Sequence, residues 1–504
     1  MARIAVIGAG MGAMAAAARL AVAGHRVTVY ERTDTYGGAV RRLERDGFAF
    51  DTGPGLLPLP AVYRDLFVKT GREPLEECVE LVQVDPSSHH MFADGTRVSL
   101  PNASRAGVVA ALEAALGAEP ARRWGDFLVR AREAWDRTRR PLLEEPLWPN
   151  WRTLAEREPY PAVPHKKLLR TRRAGTLAEV GAWELRDPRL TALLESHALA
   201  YGLDPRRTPA SAAVLPYMEH AFGLWYVRGG MRELARAVYE RCLARRVEFV
   251  FGAEVVRIVE KDGRAAGVGF RDGVVAGADH VVAGVDHHRL GFLAEHRLYD
   301  DGDVRPEVSG EWAPPGRFGV LLALRGPREP DAPHRTVVHT PGREAELDFL
   351  TVGTDTPASP TVTVLRPDDP ALRPDAEHES VVVSAVVPSD AQWGEGDLDE
   401  RYADLVVEAA ERALPGLRER LLWREVYTPD QADEETGAEF GGVPAPSLAG
   451  GGTGFLRPAN VTALPGLYRV GGWSHPGGGL PHAGMSGALV AGLIVEGPEF
   501  RGSQ

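Results

Sequence analysis

The chain has 504 residues, long enough for two or three domains that each bury a core. Its composition, 44% hydrophobic and 25% charged, excludes a disordered or fibrous protein. A formal charge of −12 argues against nucleic acid as a partner, and two isolated cysteines, Cys78 and Cys242, give no disulfide framework or zinc site.

The cysteine usage fits a reducing, cytoplasmic setting. No apolar run reaches the ~18 residues that cross a bilayer, so the expectation is a soluble protein or one peripheral at the membrane. Residues 4–24 are apolar but read as part of a folded domain and not as a leader.

Residues 3–7 form a short apolar strand, 8–12 a tight glycine turn, and 13–23 a small-residue helix ending at Gly24. A β-branched strand over 26–30 closes at Glu31. Gly8-Ala9-Gly10-Met11-Gly12-Ala13 matches the GxGxx(G/A) turn between strand and helix. Gly8 permits the turn, Gly10 lets a pyrophosphate reach the backbone, and Ala13 permits close helix–strand packing. The helix N-terminus presents free N–H groups and partial positive charge. Glu31, followed by Arg32, stands about 20 residues on, where a carboxylate receives ribose hydroxyls and repels a 2′-phosphate. Gly37-Gly38 and residues 48–54, FAFDTGP, suit a loop lying along a long dinucleotide such as FAD.

From about 59 to 222, helical patterns alternate with Pro-rich breaks. Trp225 and Tyr226 then precede VRGGM and a helix over 232–245. Strands are predicted over 247–251, 254–260, 267–270 and 280–285. Residues 290–450 read as a second irregular block, with 354–379 as surface loops around one strand. The chain resumes its opening pattern with a strand over 467–470, a glycine-rich loop and a small-residue helix over 484–495.

The fold class expected is α/β: a Rossmann-like FAD-binding domain from 1–60, 225–290 and 455–504, interleaved with an α+β substrate domain from 61–224 and 291–454.

With GAGMGA and Glu31, Gly37-Gly38, GFAFDTGP, GLWYVRGGMRELARAVYERC, FGAEVVRIVEKDGRAAGVGF, ADHVVAGVD and the segment FLRPANVTALPGLYRVGGWSHPGGGLPHAGMSGALVAGLI, the chain resembles the phytoene desaturase family of amine-oxidase-like flavoproteins. The resemblance covers roughly 40% of the chain, in the family's order. It implies that Gly8, Gly10, Met11, Gly12, Ala13, Glu31, Arg32, Gly37 and Gly38 hold the ADP half of a non-covalent FAD. By the same resemblance Val255 passes near the adenine, Gly472, Gly479 and Pro481 line the flavin, and a helix starting near Met485 points at the ring. The family has Arg after the glycine pair where this chain has Ala39, with Arg41 and Arg42 as nearby substitutes.

In such a protein the flavin takes hydride and the residues around it align the substrate. Trp473, His475 and His482 are the catalytic candidates because their loop must pass the ring. Packing for Trp473 and a structural hydrogen bond for His475 are the competing readings, and His482 suits proton transfer near neutral pH. Trp225 and Tyr226 are candidates for a substrate tunnel or for core packing. Glu219 and His220 form an acid/base-capable pair or, as the leading reading, a solvated helix face. The adjacent pairs His89-His90 and His287-His288 make poor metal ligands, and Asp300, Asp301 and Asp303 read as surface. The basic segment His165, Lys166, Lys167, Arg170, Arg172 and Arg173 is either a membrane-surface contact or a solvated face.

The leading function is an FAD-dependent dehydrogenase or desaturase of a long apolar polyene. The alternatives are a redox cyclase or isomerase of a polyene polyketide, a flavin amine oxidase, and a flavin-free prenyl-binding escort protein. No lysine follows Lys261, which disfavours the amine oxidase.

Overall fold

The computed structural model describes residues 1–502 apart from 149, 166, 295–297, 300–302, 305–313, 354–355 and 394–396. Lys166, Asp300 and Asp301 therefore lie outside the described residues, as do the side chains of His165 and Lys167.

The opening pattern forms as its periodicity requires. Arg3–Ile7 and Arg26–Tyr30 pair in parallel, joined by the helix Met11–Val22. They belong to a parallel five-stranded sheet ordered Glu248–Val250, Arg26–Tyr30, Arg3–Ile7, His280–Ala283, Leu467–Arg469. Its strands come from the first, middle and last parts of the chain. Parallel strands need crossovers, and both faces end up covered.

Alanine and glycine bring two of those covering helices unusually close. A Cβ on Gly487, in the C-terminal helix Leu480–Val495, would lie 2.6 Å from the Gly12 carbonyl oxygen and 2.8 Å from Ala15 Cβ. Residues 61–79, expected in the substrate block, instead add Tyr63, Leu66, Phe67, Leu75 and Val79 to this core, with the Tyr63 hydroxyl donating to Leu480 O at 2.9 Å.

The block 290–450 is less irregular than its composition suggests. It supplies five strands of a seven-stranded sheet ordered Leu421–Tyr427, Gly316–Arg325, His378–Val387, Val362–Leu365, Arg335–Val338, Ser88–Met91, Arg97–Leu100. Neighbours are antiparallel except Arg335–Val338 with Ser88–Met91. One face packs Phe318, Val320, Leu322, Val364, Val381 and Val383 against the helix Leu398–Glu411. A helical layer that includes Ala118–Arg139, Pro188–Leu199 and Val214–Phe222 has its own core around Trp124, Phe127 and Leu194. No helix among the described residues is long and apolar enough to cross a membrane.

Candidate active site

The glycine turn builds a concave, donor-rich surface. Gly8 takes φ +86° and its N–H donates to Tyr30 O at 2.8 Å. The helix after Gly10 has no side-chain cap and no acidic residue in its first turn, so its leading N–H groups stay available to an anion. Gly37 N–H donates to Ala9 O at 2.8 Å, and a Cβ on Gly38 would stand 3.0 Å from Gly10 Cα. Ala13 Cβ would be 3.0 Å from a Cβ on Gly284. Glu31 is buried and accepts from Ala9 N–H (2.8 Å), Thr33 N–H (2.9 Å) and the Thr33 hydroxyl (2.9 Å).

The side chains of the other residues expected in this half pack into the protein or bind its loops. Met11 is buried in the core. Val255 pairs with Phe270 and packs with Ala5 and Ile7. The Arg32 guanidinium donates to Asp433 O (3.2 Å) and Glu434 O (2.5 Å), carbonyls in the last turn of the helix Pro429–Thr436. Arg41 joins it at Glu435 O (3.0 Å) and Arg42 donates to Gly229 O (2.9 Å), so these arginines fasten loops together.

The C-terminal loop meets the same turn. A Cβ on Gly12 would collide with Gly471 Cα at 2.8 Å and Ala483 O at 2.9 Å. Gly472 is closed over by Gly478, whose N–H donates to Gly472 O at 3.1 Å. The helix begins at Leu480 behind the Gly479 N-cap, about a turn before the expected start, because Pro481 is accommodated in a first turn that needs no N–H. Met485 thus lies in the second turn and packs on the helical layer, not at the helix mouth.

His475 is fully buried and its Nε2 must donate to Glu145 O at 2.8 Å, leaving Nδ1 bare. His482 is also buried with Nδ1 unpartnered. Burial pushes both rings down to about 4, assisted for His482 by His475. The near-neutral imidazole expected at His482 is instead a ring held neutral. Trp473 is half-buried, its ring 3.1 Å from a Cβ built on Gly442.

Trp225 and Tyr226 are consecutive in the strand Leu224–Val227 and face opposite sides, so they cannot line one tunnel. Trp225 packs on the core of the parallel sheet under the Arg64 guanidinium. The Tyr226 hydroxyl donates to Asp369 Oδ2 at 2.7 Å, and that oxygen also receives Gly229 N–H at 2.5 Å. Asp51 accepts Met231 N–H at 2.8 Å, its carboxyl pushed up by burial to about 6. Both carboxylates pin the Gly229-Gly230 turn.

Sequence reasoning missed a buried polar group between the helical layer and the second sheet. Of Glu219 and His220, expected on a solvated face, His220 is buried and Glu219 is mostly buried, its side chain 11% exposed. Arg335 Nη1 lies 3.0 Å from each Glu219 oxygen and His197 Nε2 lies 3.5 Å from one of them. Burial pushes the Glu219 carboxyl up, but Arg335, His197 and His220 outweigh it and hold it well below the usual range. Beside them His90 Nδ1 meets His339 Nε2 at 3.0 Å. Burial takes His220 to about 4 and His339 to about 3.

A profile for flavin-containing amine oxidoreductases matches residues 14–495. The chain belongs to that family. It is 30% identical over 497 residues to a hydroxyneurosporene desaturase of Rhodobacter capsulatus, covering 98% of this chain and 97% of the relative. A 4,4'-diapolycopene oxygenase of Methylomonas is 28% identical, with 98% of each covered. A crystal structure of an oxidoreductase from Methanosarcina mazei has the same fold, with a TM-score of 0.65 at 19% identity over 97% of this chain and 99% of its own.

The chain is thus a carotenoid desaturase-like, FAD-dependent oxidoreductase. Its geometry suits that cofactor. Two uncapped helix N-termini, at Gly10 and Gly479, converge where Gly12 touches Gly471 and Ala483, and side chains at Gly12 or Gly38 would crowd the cradle between them.

Proposed function

We propose that this flavoprotein desaturates a long apolar polyene. The observation that supports it best is coverage: the similarity to hydroxyneurosporene desaturase runs through the substrate half as well as the nucleotide half. In this reading Gly8, Gly10, Ala13, Glu31, Gly37 and Gly38 hold the ADP half of FAD, while the 471–479 loop and Pro481 flank the flavin.

Bound FAD supplies a two-electron acceptor for hydride. One substrate C–H leaves as hydride and the neighbouring C–H as a proton, so that a C=C forms. The protein's part is to align the chain and exclude water. His475, tied to Glu145, fixes the loop. In this reading His482, held neutral by burial beside the flavin loop, is the candidate proton acceptor.

Purified protein should release FAD on denaturation, and anaerobic addition of neurosporene should bleach the flavin band near ~450 nm while polyene absorption moves to longer wavelength. A product of unchanged mass with shortened conjugation would move the assignment to a cyclase. Bleaching by putrescine but by no polyene would sink the proposal in favour of amine oxidation.

A further inference from the structure

The face of the seven-stranded sheet beneath the helical layer carries a cation with no counter-ion among the described residues. Arg317 stands opposite Val386 near the start of Gly316–Arg325. Phe318, the next residue, enters the apolar core on the other face. Alternation therefore puts Arg317 on one face with Gly319, Ser384 and Thr363, and across the strands with Arg335 and His90.

The two arginines on this face differ. Arg335 is neutralised by Glu219. Arg317 has no ion pair among the described residues, and the group whose charge bears on it is the Tyr201 phenol. Gly202, the residue after Tyr201, packs on Pro315, two residues before Arg317: a Cβ built on Gly202 would stand 2.6 Å from the Pro315 side chain, which brings Tyr201 and Arg317 into one neighbourhood. The Tyr201 ring and hydroxyl come within 4.0 Å of a Cβ built on Gly479, the N-cap of the C-terminal helix. Tyr201 thus lies at the flavin end of this face, with Arg317 on the strand near it and the Glu219–Arg335 pair three strands across the sheet.

Burial lowers the Arg317 guanidinium and raises the Tyr201 hydroxyl, yet both residues are only half-buried by area. A desolvated guanidinium without an anion is costly, and all its polar hydrogens are donors, so what completes it must be an acceptor bearing negative charge.

We propose that Arg317, with the Tyr201 hydroxyl beside it, is a specificity-determining site that binds a carboxylate carried by an otherwise apolar polyene. It deepens the proposed function and rests on it. The competing source of anionic oxygen is the reduced flavin itself.

The test uses FAD-loaded wild-type protein, Arg317→Met and Arg317→Lys, titrated with crocetin, a polyene dicarboxylate, and with its uncharged dimethyl ester. Binding is read from the flavin difference spectrum, and the flavin midpoint potential is measured in parallel. Wild type should bind crocetin about 10- to 100-fold tighter than the ester, the range for a buried charged hydrogen bond. Arg317→Met should abolish that preference with ester affinity and potential unchanged, and Arg317→Lys should restore part of it. Tyr201→Phe, which keeps the ring, should reduce the preference less and serves if Arg317→Met fails to retain FAD. Equal binding of both ligands by wild type, or a preference that survives Arg317→Met, overturns this inference alone. A lowered potential with the preference intact assigns Arg317 to the flavin and also overturns it. Binding of neither polyene overturns the proposed function together with this site.

Discussion

The two sheets solve recognition in different currencies of structure. Around the parallel sheet the work falls to backbone: Gly8, Gly10, Gly37 and Gly38 shape a surface of N–H groups, with Glu31 as the main side chain. On the seven-stranded sheet it falls to buried or half-buried side chains, His90, Arg317, Arg335 and His339, with Glu219, His197 and His220 on the helices above. The first kind of site fails when space is lost, whereas the second fails when charge is left unbalanced.

That contrast predicts three effects of descending size. Gly12→Val places a branched side chain where Gly471 Cα stands at 2.8 Å and Ala483 O at 2.9 Å. Backbone on both sides cannot yield, so the variant should purify without FAD or fail to fold. A yellow Gly12→Val protein of normal melting temperature would break the claim that space governs this half.

Glu219→Ala should leave the Arg335 guanidinium buried and unpaired, costing about 3–5 kcal/mol in denaturant unfolding, with the flavin spectrum of the folded protein unchanged. A loss below about 1 kcal/mol would show that water already reaches the pair.

The third effect is pH-dependent. His220 is held near 4 against 6.5 in the unfolded chain, so between those values the unfolded state takes up a proton that the folded state refuses. Stability from this group is complete above about 6.5 and is lost as pH falls towards 4. Both ring nitrogens of His220 lack partners and its ring packs on Trp124. His220→Phe should therefore be near neutral at pH 7 and should flatten the acid slope by about 1.4 kcal/mol per pH unit. An unchanged slope would remove His220 from the titrating set.

The same contrast explains what was legible in the sequence. The turn, Glu31 and the flanking strands interact within some thirty residues, so local spacing reveals them. The start of the C-terminal helix was misplaced because Pro481 reads as a loop residue unless it is known to occupy a first turn. The strands of 290–450 were hidden by loops rich in Pro and Asp. His90 and His339 are separated by 249 positions, and no period or motif links them. Arg317 is one of many arginines in the sequence, and only its strand register separates it from those on the surface.

The close approach of Gly12 and Gly487 also carries a consequence for biogenesis. The turn is translated well before the loop and helix that close it. At about 5–20 residues per second the nascent chain spends on the order of half a minute or more with its cofactor cradle half-made. FAD capture then has to wait for the closing helix, and it acts as a check that the chain has been synthesised and docked through that helix before any electrons can flow.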